Sequence, residues 1–282
     1  MNPTPLKVGY LGPEGTFCEQ AAKRYFAGKD VNLIGLDTIP EVFRAVESRS
    51  LDLGVVPAEN SYEGSVNLTL DLLYRNNVKM CGEIEEPIVH HLIVKPGTGL
   101  EEIKIILSHP QALAQCRNLI AQRFPTAKIR EVESTAAAVM KLKSLKRAAA
   151  IGSEASARAY GMQIALREVG DVPKNITRFI VIGTADSPPT GNDKTSVIFA
   201  TENIPGALYH ALAPFAERRI NLTKIESRPM KGKEWEYIFY MDFEGHRTEE
   251  KILGALEELR GICCFLKVLG SYPKARKTTN NS

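Results

Sequence analysis

The feature that most constrains the fold is an alternation of short apolar runs with helical patterns through the first two-thirds of the chain. The apolar runs are rich in β-branched residues, and most are followed by a stretch of helical periodicity. Strands separated by helices form βα units, so we predict an α/β fold with mainly parallel sheet. The predicted strands are 7–11, 31–36, 53–56, 88–94, 103–107, 148–151 and 177–182, and the predicted helices are 16–27, 40–49, 66–75, 110–123, 135–145 and one ending at 160.

A Pro-, Gly- and Asp-rich segment at 186–194 is the best domain boundary in the sequence. The elements predicted after it follow the order βαββαβ of ferredoxin-like domains. We therefore predict domains at 1–185 and 194–272, with a disordered polar tail at 273–282. The elements predicted in the second domain are strand 195–201, helix 206–219, strands 222–227 and 236–243, helix 248–260 and strand 263–270.

The first domain is predicted to have two lobes. The strand at 88–94 follows a stretch rich in Gly and Glu, which we interpret as a crossing into a second lobe at about 85–172. The chain then returns before Thr177. Two crossings leave a cleft between the lobes, and such clefts are common binding places for small ligands.

Charge and cysteine content exclude several classes of protein. The chain has 36 Lys+Arg against 33 Asp+Glu, a net charge of +3, so there is no strong electrostatic footprint for nucleic acid or an anionic membrane. Its 5 cysteines form no C-x-x-C pair and predict neither a zinc site nor a disulfide framework. The first residues lack the pattern of a signal peptide. We expect a cytoplasmic protein.

Several predicted helices begin with a hydroxyl residue directly after a strand. Thr16, Thr38 and Ser108 each precede a Glu or Gln by three residues, the spacing of a capping box, and Ser134 and Ser153 are further N-cap candidates. Free backbone N–H groups at helix starts attract carboxylates and phosphates. This recurrence favours a small anionic ligand, although each cap also has an ordinary structural explanation.

Other motifs point away from nucleotides and metals. The glycines between Gly9 and Gly15 lack the spacing of a dinucleotide-binding fingerprint. The five histidines show no ligand spacing, and a structural role is favoured for His90 and His91. We predict no cofactor and no metal.

Two polar clusters remain, at 55–65 and at 175–179, and with other segments they make the chain recognisable. The segments that carry the recognition are YLGPEGTF (10–17), VPAENS (56–61), EG (63–64), SHPQ (108–111), QC (115–116), STAAA (134–138), AIGSE (150–154), N-x-TRF (175–179), GAL (206–208), INLT (220–223) and IESRP (225–229). On these segments the chain resembles the prephenate dehydratases that carry a C-terminal ACT regulatory domain. The similarity covers nearly all of residues 7–272, in order and at family spacing.

The resemblance implies a catalytic region like a type II periplasmic binding protein, and conversion of prephenate to phenylpyruvate without a cofactor. By this analogy Thr177 lies closest to the chemistry, with Glu59 and Asn60 orienting Thr177 or the ring hydroxyl. Arg178 is expected either to clamp a carboxylate or to form a structural ion pair. The substrate-binding residues implied are Thr16, Phe17, Ser61, Ser108, Gln111, Gln115, Ser134, Thr135, Arg178 and Phe179.

For the second domain the resemblance implies feedback by L-phenylalanine bound between two ACT domains, and therefore a homodimer or homotetramer. Asn203 is expected to cap the helix, and Leu208 and Leu222 to contact the aromatic ring. Arogenate dehydratase and a non-catalytic amino-acid or dicarboxylate sensor remain alternatives. The effector-binding residues implied are Asn203, Gly206, Ala207, Leu208, Asn221, Leu222, Glu226, Ser227 and Arg228.

Overall fold

A computed structural model describes residues 4–229 and 237–275. Within these residues the strands are β1 (Leu6–Leu11), β2 (Val31–Leu36), β3 (Leu53–Asn60), β4 (Gly64–Ser65), β5 (Lys79–Pro87), β6 (His91–Val94), β7 (Ile105–Ser108), β8 (Lys128–Glu131), β9 (Ala148–Gly152), β10 (Gln163–Leu166), β11 (Ile176–Gly183), β12 (Asp193–Ala200), β13 (Leu222–Pro229), β14 (Tyr237–Glu244) and β15 (Phe265–Pro273). The α-helices are α1 (Phe17–Tyr25), α2 (Ile39–Glu47), α3 (Asn67–Arg75), α4 (Pro110–Ala114), α5 (Arg117–Arg123), α6 (Thr135–Lys141), α7 (Glu154–Ala159), α8 (Ala207–Glu217) and α9 (Glu250–Ile262).

The first lobe is organised by a sheet of order β2-β1-β3-β11-β5, with the short β4 paired to β3. β1 and β2 are parallel, with Leu6 opposite Val31 and Leu11 opposite Leu36. β3 and β4 are antiparallel and form a hairpin, in which Asn60 lies opposite Gly64. The hairpin therefore presents the polar residues after β3 at one end of the sheet.

The second lobe has a five-stranded sheet of order β10-β6-β9-β7-β8 between two helical layers. Leu92 and Val94 of β6 join one hydrophobic core with residues of α4 and α5, while Ile93 joins another core with residues of α6 and α7. This alternation follows from the two-residue period of a strand. β9 has the sequence AAAIG and is fully buried. Its alanines allow helices to pack closely on both faces.

The chain crosses between the lobes twice, as predicted. β5 belongs to the first sheet and β6 to the second, and β10 and β11 mark the return. The two crossover segments are 88–90 and 167–175. Their presence confirms the two-lobed α/β arrangement.

The C-terminal domain is a four-stranded antiparallel sheet of order β13-β14-β12-β15. Helices α8 and α9 contribute Phe215, Ile252 and Leu259 to a core shared with Phe199 and Phe243 of the sheet. The order βαββαβ is confirmed.

Several expected details are wrong. β5, β8 and β10 were not predicted, and the expected helix at 110–123 is two helices, α4 and α5. The second sheet is mixed, since β6 is antiparallel to β9 and β10 whereas β7 is parallel to β8 and β9. The predicted tail begins too early, because β15 extends to Pro273 and the Lys274 N–H donates to the Asn192 carbonyl at 3.0 Å. Residues 276–282 of that tail lie outside the described part.

The chain forms two compact units. One comprises the described residues up to Val42, with Val55–Val66 and Glu85–Phe179. The other comprises Phe43–Gly54, Asn67–Ile84 and the described residues from Ile180 onward. The second unit therefore contains the C-terminal domain together with α3.

Candidate active site

A cavity of about 440 Å³ lies within the first unit. It is lined by the segment after β1, by the β3–β4 hairpin and β11, and by the beginnings of α4 and α6 in the second lobe. Its residues are Leu11, Gly12, Thr16, Phe17, Cys18, Pro57, Asn60, Glu63, Gly64, Ser65, Val66, Ile88, His90, His109, Gln111, Ala112, Gln115, Glu133, Ser134, Thr135, Asn175, Thr177 and Phe179. Both lobes thus contribute to one cavity.

Asn60 is held in one orientation at the end of β3. Its Oδ1 accepts from the backbone N–H groups of Tyr62 at 3.0 Å and Glu63 at 3.2 Å, as in an Asx turn. Gly64 closes the hairpin with a φ of 77°, a conformation in which a Cβ would be strained. The turn therefore directs the Asn60 amide nitrogen away from the hairpin.

That nitrogen begins a chain of side-chain hydrogen bonds. Asn60 Nδ2 donates to Thr177 Oγ1 at 2.9 Å and to Asn175 Oδ1 at 2.7 Å. Asn175 Nδ2 donates to Gln115 Oε1 at 2.8 Å, and His90 Nε2 lies 3.1 Å from the same oxygen. We call these five residues the amide network. Each is buried, with an exposed fraction of 9% or less.

The two crossover segments bring the network together. The Ile88 N–H donates to the Asn175 carbonyl, and the Val169 N–H donates to the His90 carbonyl, both at 2.8 Å. The Asp171 N–H donates to the Gln115 carbonyl at 2.6 Å. Residues far apart in sequence therefore meet because the chain passes twice between the lobes.

Two polar atoms of the network have no partner among the described residues. They are Gln115 Nε2, a donor, and His90 Nδ1, and both are buried. Unpaired buried polar atoms are rare in folded proteins because each costs free energy. Both residues line the cavity, which makes these two atoms the candidates in the network for contact with a bound molecule.

The cavity is electrostatically unusual for a site predicted to bind an anion. None of its described lining residues is Lys or Arg. Burial lowers the pKa of His90 and of His109, which favours the neutral imidazoles. The donors among the lining side chains are amide and hydroxyl groups and the imidazoles of His90 and His109.

Cys18 lines the cavity but is not suited to nucleophilic catalysis. Its thiol donates to the Val55 carbonyl at 3.2 Å, and burial raises its pKa to about 12. The thiolate is the reactive form, and it is scarce at neutral pH with such a pKa. Within residues 4–229 and 237–275 no group of three or more His, Cys, Asp or Glu side chains is arranged to hold a metal ion.

Most of the residues expected at the site do line this cavity: Thr16, Phe17, Asn60, Gln111, Gln115, Ser134, Thr135, Thr177 and Phe179. Thr16 and Ser134 also cap their helices, since their hydroxyls accept from the N–H groups of Glu19 and Ala137. The capping role of both residues is confirmed, and their contact with a ligand stays a prediction.

Four expected residues lie outside the lining. The Ser108 hydroxyl is fully buried and donates to the Ile151 carbonyl at 2.7 Å, and the N-cap of α4 is His109 instead. Ser61 is exposed, and its Oγ accepts from the Ile176 N–H at 3.0 Å. Glu59 and Arg178 form an ion pair at 3.7 Å, which favours the structural alternative stated for Arg178.

Sequence reasoning missed His90 and Asn175 as site residues. Asn175 lay inside a recognised motif but had no role assigned to it, and His90 was expected to be structural. The signal that was available is the polarity of both residues next to apolar strands. His109, Glu63 and Glu133 also line the cavity without having been predicted.

In the C-terminal domain, the expected cap of the first helix is wrong. Asn203 does not cap α8, because the N-cap is Gly206 in the left-handed conformation, with a φ of 83°. Arg228 contacts α3, donating to the Asn67 carbonyl at 3.0 Å and lying 3.3 Å from Asp71.

The other expected effector residues differ in exposure. Leu208 and Leu222 are half-buried against the domain's own core, and Ala207 in α8 is also half-buried. Glu226 pairs with Lys224 at 3.2 Å. Gly206, Asn221 and Ser227 are exposed.

In the part of the chain that the structure describes, no helix has the length and apolar character needed to span a membrane.

Comparison with known proteins gives a consistent result across the chain. The family model for prephenate dehydratase matches residues 8–187, and that for the ACT domain matches residues 195–261. A bifunctional chorismate mutase/prephenate dehydratase of Aquifex aeolicus is 47% identical over 96% of this chain and 74% of its own length. A prephenate dehydratase of Methanocaldococcus jannaschii is 43% identical over 94% of this chain and 97% of its own.

A solved structure extends the comparison to three dimensions. Prephenate dehydratase of Arthrobacter aurescens, determined in complex with L-Phe, has a TM-score of 0.88 at 35% identity. The alignment covers 96% of this chain and 90% of that one. The likeness therefore includes both the cavity-bearing region and the C-terminal domain.

Proposed function

Because this chain belongs to the prephenate dehydratase family, with its ACT domain at the C-terminus, we propose that the cavity binds prephenate and converts it to phenylpyruvate. The ring hydroxyl leaves as water and the ring carboxylate leaves as carbon dioxide, so the enzyme acts as a carbon–oxygen lyase. The electrons of the broken C–C bond complete the aromatic ring, while those of the C–O bond leave with oxygen. One proton from solvent balances the reaction.

The observation that carries this proposal is the hydrogen bond between Asn60 and Thr177. Backbone N–H groups only donate, so those of Tyr62 and Glu63 identify the Asn60 atom that they contact as the oxygen. Asn60 Nδ2 is therefore the donor to Thr177 Oγ1. The threonine oxygen accepts this bond, which leaves its own proton to be donated into the cavity.

A fixed donor of this kind assists the departure of the ring hydroxyl. A threonine hydroxyl is too weak an acid to protonate the leaving group fully at neutral pH, so its role is a hydrogen bond that strengthens as negative charge develops on oxygen. Loss of one such preorganised donor costs about 3–4 kcal/mol in other enzymes. Thr177 acts in this way, and Asn60 orients it.

Substrate carboxylates are bound by neutral donors. Gln115 Nε2 is buried and has no partner among the described residues, and Gln115, Gln111 and the residues that begin α1 and α6 line the cavity. Neutral donors hold a carboxylate more weakly than a buried arginine would. This suits a reaction in which one carboxylate must be released as neutral carbon dioxide.

Incubation of the purified protein with prephenate tests the proposal directly. We expect phenylpyruvate to form in the enzyme's presence without added metal or nucleotide. Binding of prephenate without phenylpyruvate formation would instead identify a sensor on the same scaffold. Assay of arogenate in parallel separates the two dehydratases, and prephenate is expected to have the larger kcat/KM.

The ACT domain is proposed to sense L-phenylalanine, with the expected residues of α8 and β13 forming the effector site. β13 is an edge strand of its sheet, and Ile225 on it, together with Ile204 and Tyr209 near the start of α8, is exposed. Such an edge suits side-by-side pairing of two domains, so we propose a homodimer or homotetramer. Sedimentation with and without L-phenylalanine measures this assembly.

We further propose that the protein is located in the cytoplasm. All five cysteines are free thiols, as expected in a reducing compartment. Fractionation of cells followed by immunodetection tests this location.

A further inference from the structure

Each hydrogen bond of the amide network can be assigned a donor and an acceptor, starting from Asn60, whose orientation is fixed. Asn60 is oriented by two backbone donors, so its Nδ2 must donate, and the Asn175 atom that it contacts at 2.7 Å must be Oδ1. The other amide atom of Asn175 is then a donor, and the Gln115 atom that it contacts at 2.8 Å must be Oε1. Each step settles an assignment that side-chain amides otherwise leave open.

The last assignment of donor and acceptor concerns His90. Its Nε2 lies 3.1 Å from Gln115 Oε1, which has no proton to give, so Nε2 must carry the proton. The two oxygen lone pairs of Gln115 are then used by Asn175 and His90. The Gln115 nitrogen is left without a partner in residues 4–229 and 237–275.

We propose that His90 is a positioning residue for the dehydratase reaction, holding the Gln115 carbonyl through Nε2–H so that the Gln115 amide nitrogen faces the bound substrate. This proposal rests on the proposed function for the role of Gln115, but the proton position that it requires belongs to the free protein. The ring is further held edge-to-face against Phe17, with centroids 5.8 Å apart, and the His90 carbonyl accepts from Val169. His90 thus joins the first crossover to a substrate-binding side chain.

Burial supports the same protonation state. Desolvation is the largest influence on His90, and it lowers the pKa of the imidazole. A neutral ring has one N–H, and the network places it on Nε2. His90 Nδ1 is then an unprotonated acceptor that has no partner among the residues described.

Two amide substitutions test the positioning role. A glutamine side chain places its nitrogen near the position of histidine Nε2, whereas an asparagine reaches only the position of Nδ1. We expect His90→Gln to keep kcat/KM for prephenate within about threefold of wild type, and His90→Asn to lower it about tenfold, the effect of losing one neutral hydrogen bond. Thermal unfolding of both variants checks that each is folded.

His91→Gln is the matched control. His91 is the neighbouring residue and is equally buried, but its Nδ1 accepts from the Glu168 N–H at 3.1 Å and it does not line the cavity. This variant should keep wild-type kcat/KM. Equal activity of His90→Gln and His90→Asn, or an equal loss in His91→Gln, would overturn the positioning role.

The proton position is measured without substrate. Nitrogen-15 NMR of histidine-labelled wild-type protein, assigned with the His90→Gln variant, distinguishes a protonated from an unprotonated ring nitrogen. We expect the proton of His90 on Nε2. A proton on Nδ1 alone would refute the assignment of donors and acceptors in the amide network. If wild-type protein fails to turn over prephenate while His90 carries its proton on Nε2, the proposed function fails and the network assignment stands.

Discussion

The amide network of the cavity and the contacts around α3 in the second unit both bury polar groups, but they do so differently. Around α3, Lys267 Nζ donates to the carbonyls of Leu73, Tyr74 and Asn76 at 2.8–3.0 Å, and the Tyr240 hydroxyl donates to the Leu70 carbonyl. The cation has an acceptor for each of its three protons. The network, by contrast, is neutral and leaves two buried atoms without a partner in the described part of the chain.

The difference shows how a binding site is distinguished from a structural contact. A charged group that is fully paired with helix carbonyls contributes to stability and offers nothing to a ligand. Buried donors and acceptors that lack partners lower stability, and a ligand that pairs them regains that free energy. Substitutions in the network should therefore affect turnover more than stability, and those around α3 should do the reverse.

The largest effect is expected for Thr177→Ala. Removal of the hydroxyl takes away the donor to the leaving group, and we expect kcat to fall roughly 500-fold, within the range measured for loss of an oxyanion-hole donor. Initial rates of phenylpyruvate formation measure this change. Thr177→Ser keeps the hydroxyl and should recover most of the activity. A folded alanine variant with near-normal kcat would show that Thr177 has no part in the chemistry.

Asn60→Asp should have the next largest effect. The substitution keeps an oxygen for the N–H groups of Tyr62 and Glu63 but removes both Nδ2 donors. Thr177 Oγ1 and Asn175 Oδ1 then face a carboxylate, and we expect kcat/KM to fall roughly 100-fold, or about 2.7 kcal/mol. Asn32→Asp, at an exposed position of β2, is the control. Equal loss in both variants would remove Asn60 from the orienting role.

Lys267→Met tests the structural contacts around α3. Loss of the ammonium leaves three carbonyls without this donor, and we expect the free energy of unfolding to fall by about 2 kcal/mol while kcat changes less than about twofold. Urea denaturation and steady-state kinetics measure the two quantities. Lys251→Met removes an exposed lysine, paired with Glu249 at 3.7 Å, and should be nearly neutral. A large loss of kcat with unchanged stability would contradict the distinction drawn here.

The sequence predicts elements well where hydrophobic period and turn signals agree. β2 has the predicted bounds, and every element of the βαββαβ domain was expected within a few residues. β8 was missed because its sequence, KIRE, is exposed at all four positions and lies at a sheet edge. A strand with no buried face lacks the hydrophobic pattern by which strands are predicted. β5 contains Gly82 and three glutamates and lacks the usual alternation.

The site was only partly predictable for a different reason. Asn60, Gln115 and Thr177 belong to recognisable motifs, but nothing local indicates that His90 contacts Gln115 or that Asn175 contacts Asn60. Those contacts depend on how the two crossover segments bond to each other. The N-cap prediction for Ser108 is wrong because its neighbour His109 takes the N-cap, and the Ser108 hydroxyl donates to the Ile151 carbonyl instead.

Acidification is the mildest of these tests, and it acts on three histidines of the first unit. Burial lowers the pKa of His90, His91 and His109 below the ordinary value of 6.5, so just below that pH the folded protein binds fewer protons than the unfolded chain. The free energy of unfolding should therefore be independent of these groups above pH 6.5 and decrease as the pH falls below it. Urea midpoints compared between about pH 7.5 and about pH 5.5 measure the decrease, and His91→Gln should reduce it by removing one of these groups. His210→Gln, at an exposed position, is the control, and a decrease identical in all three proteins would show that His91 does not contribute to it.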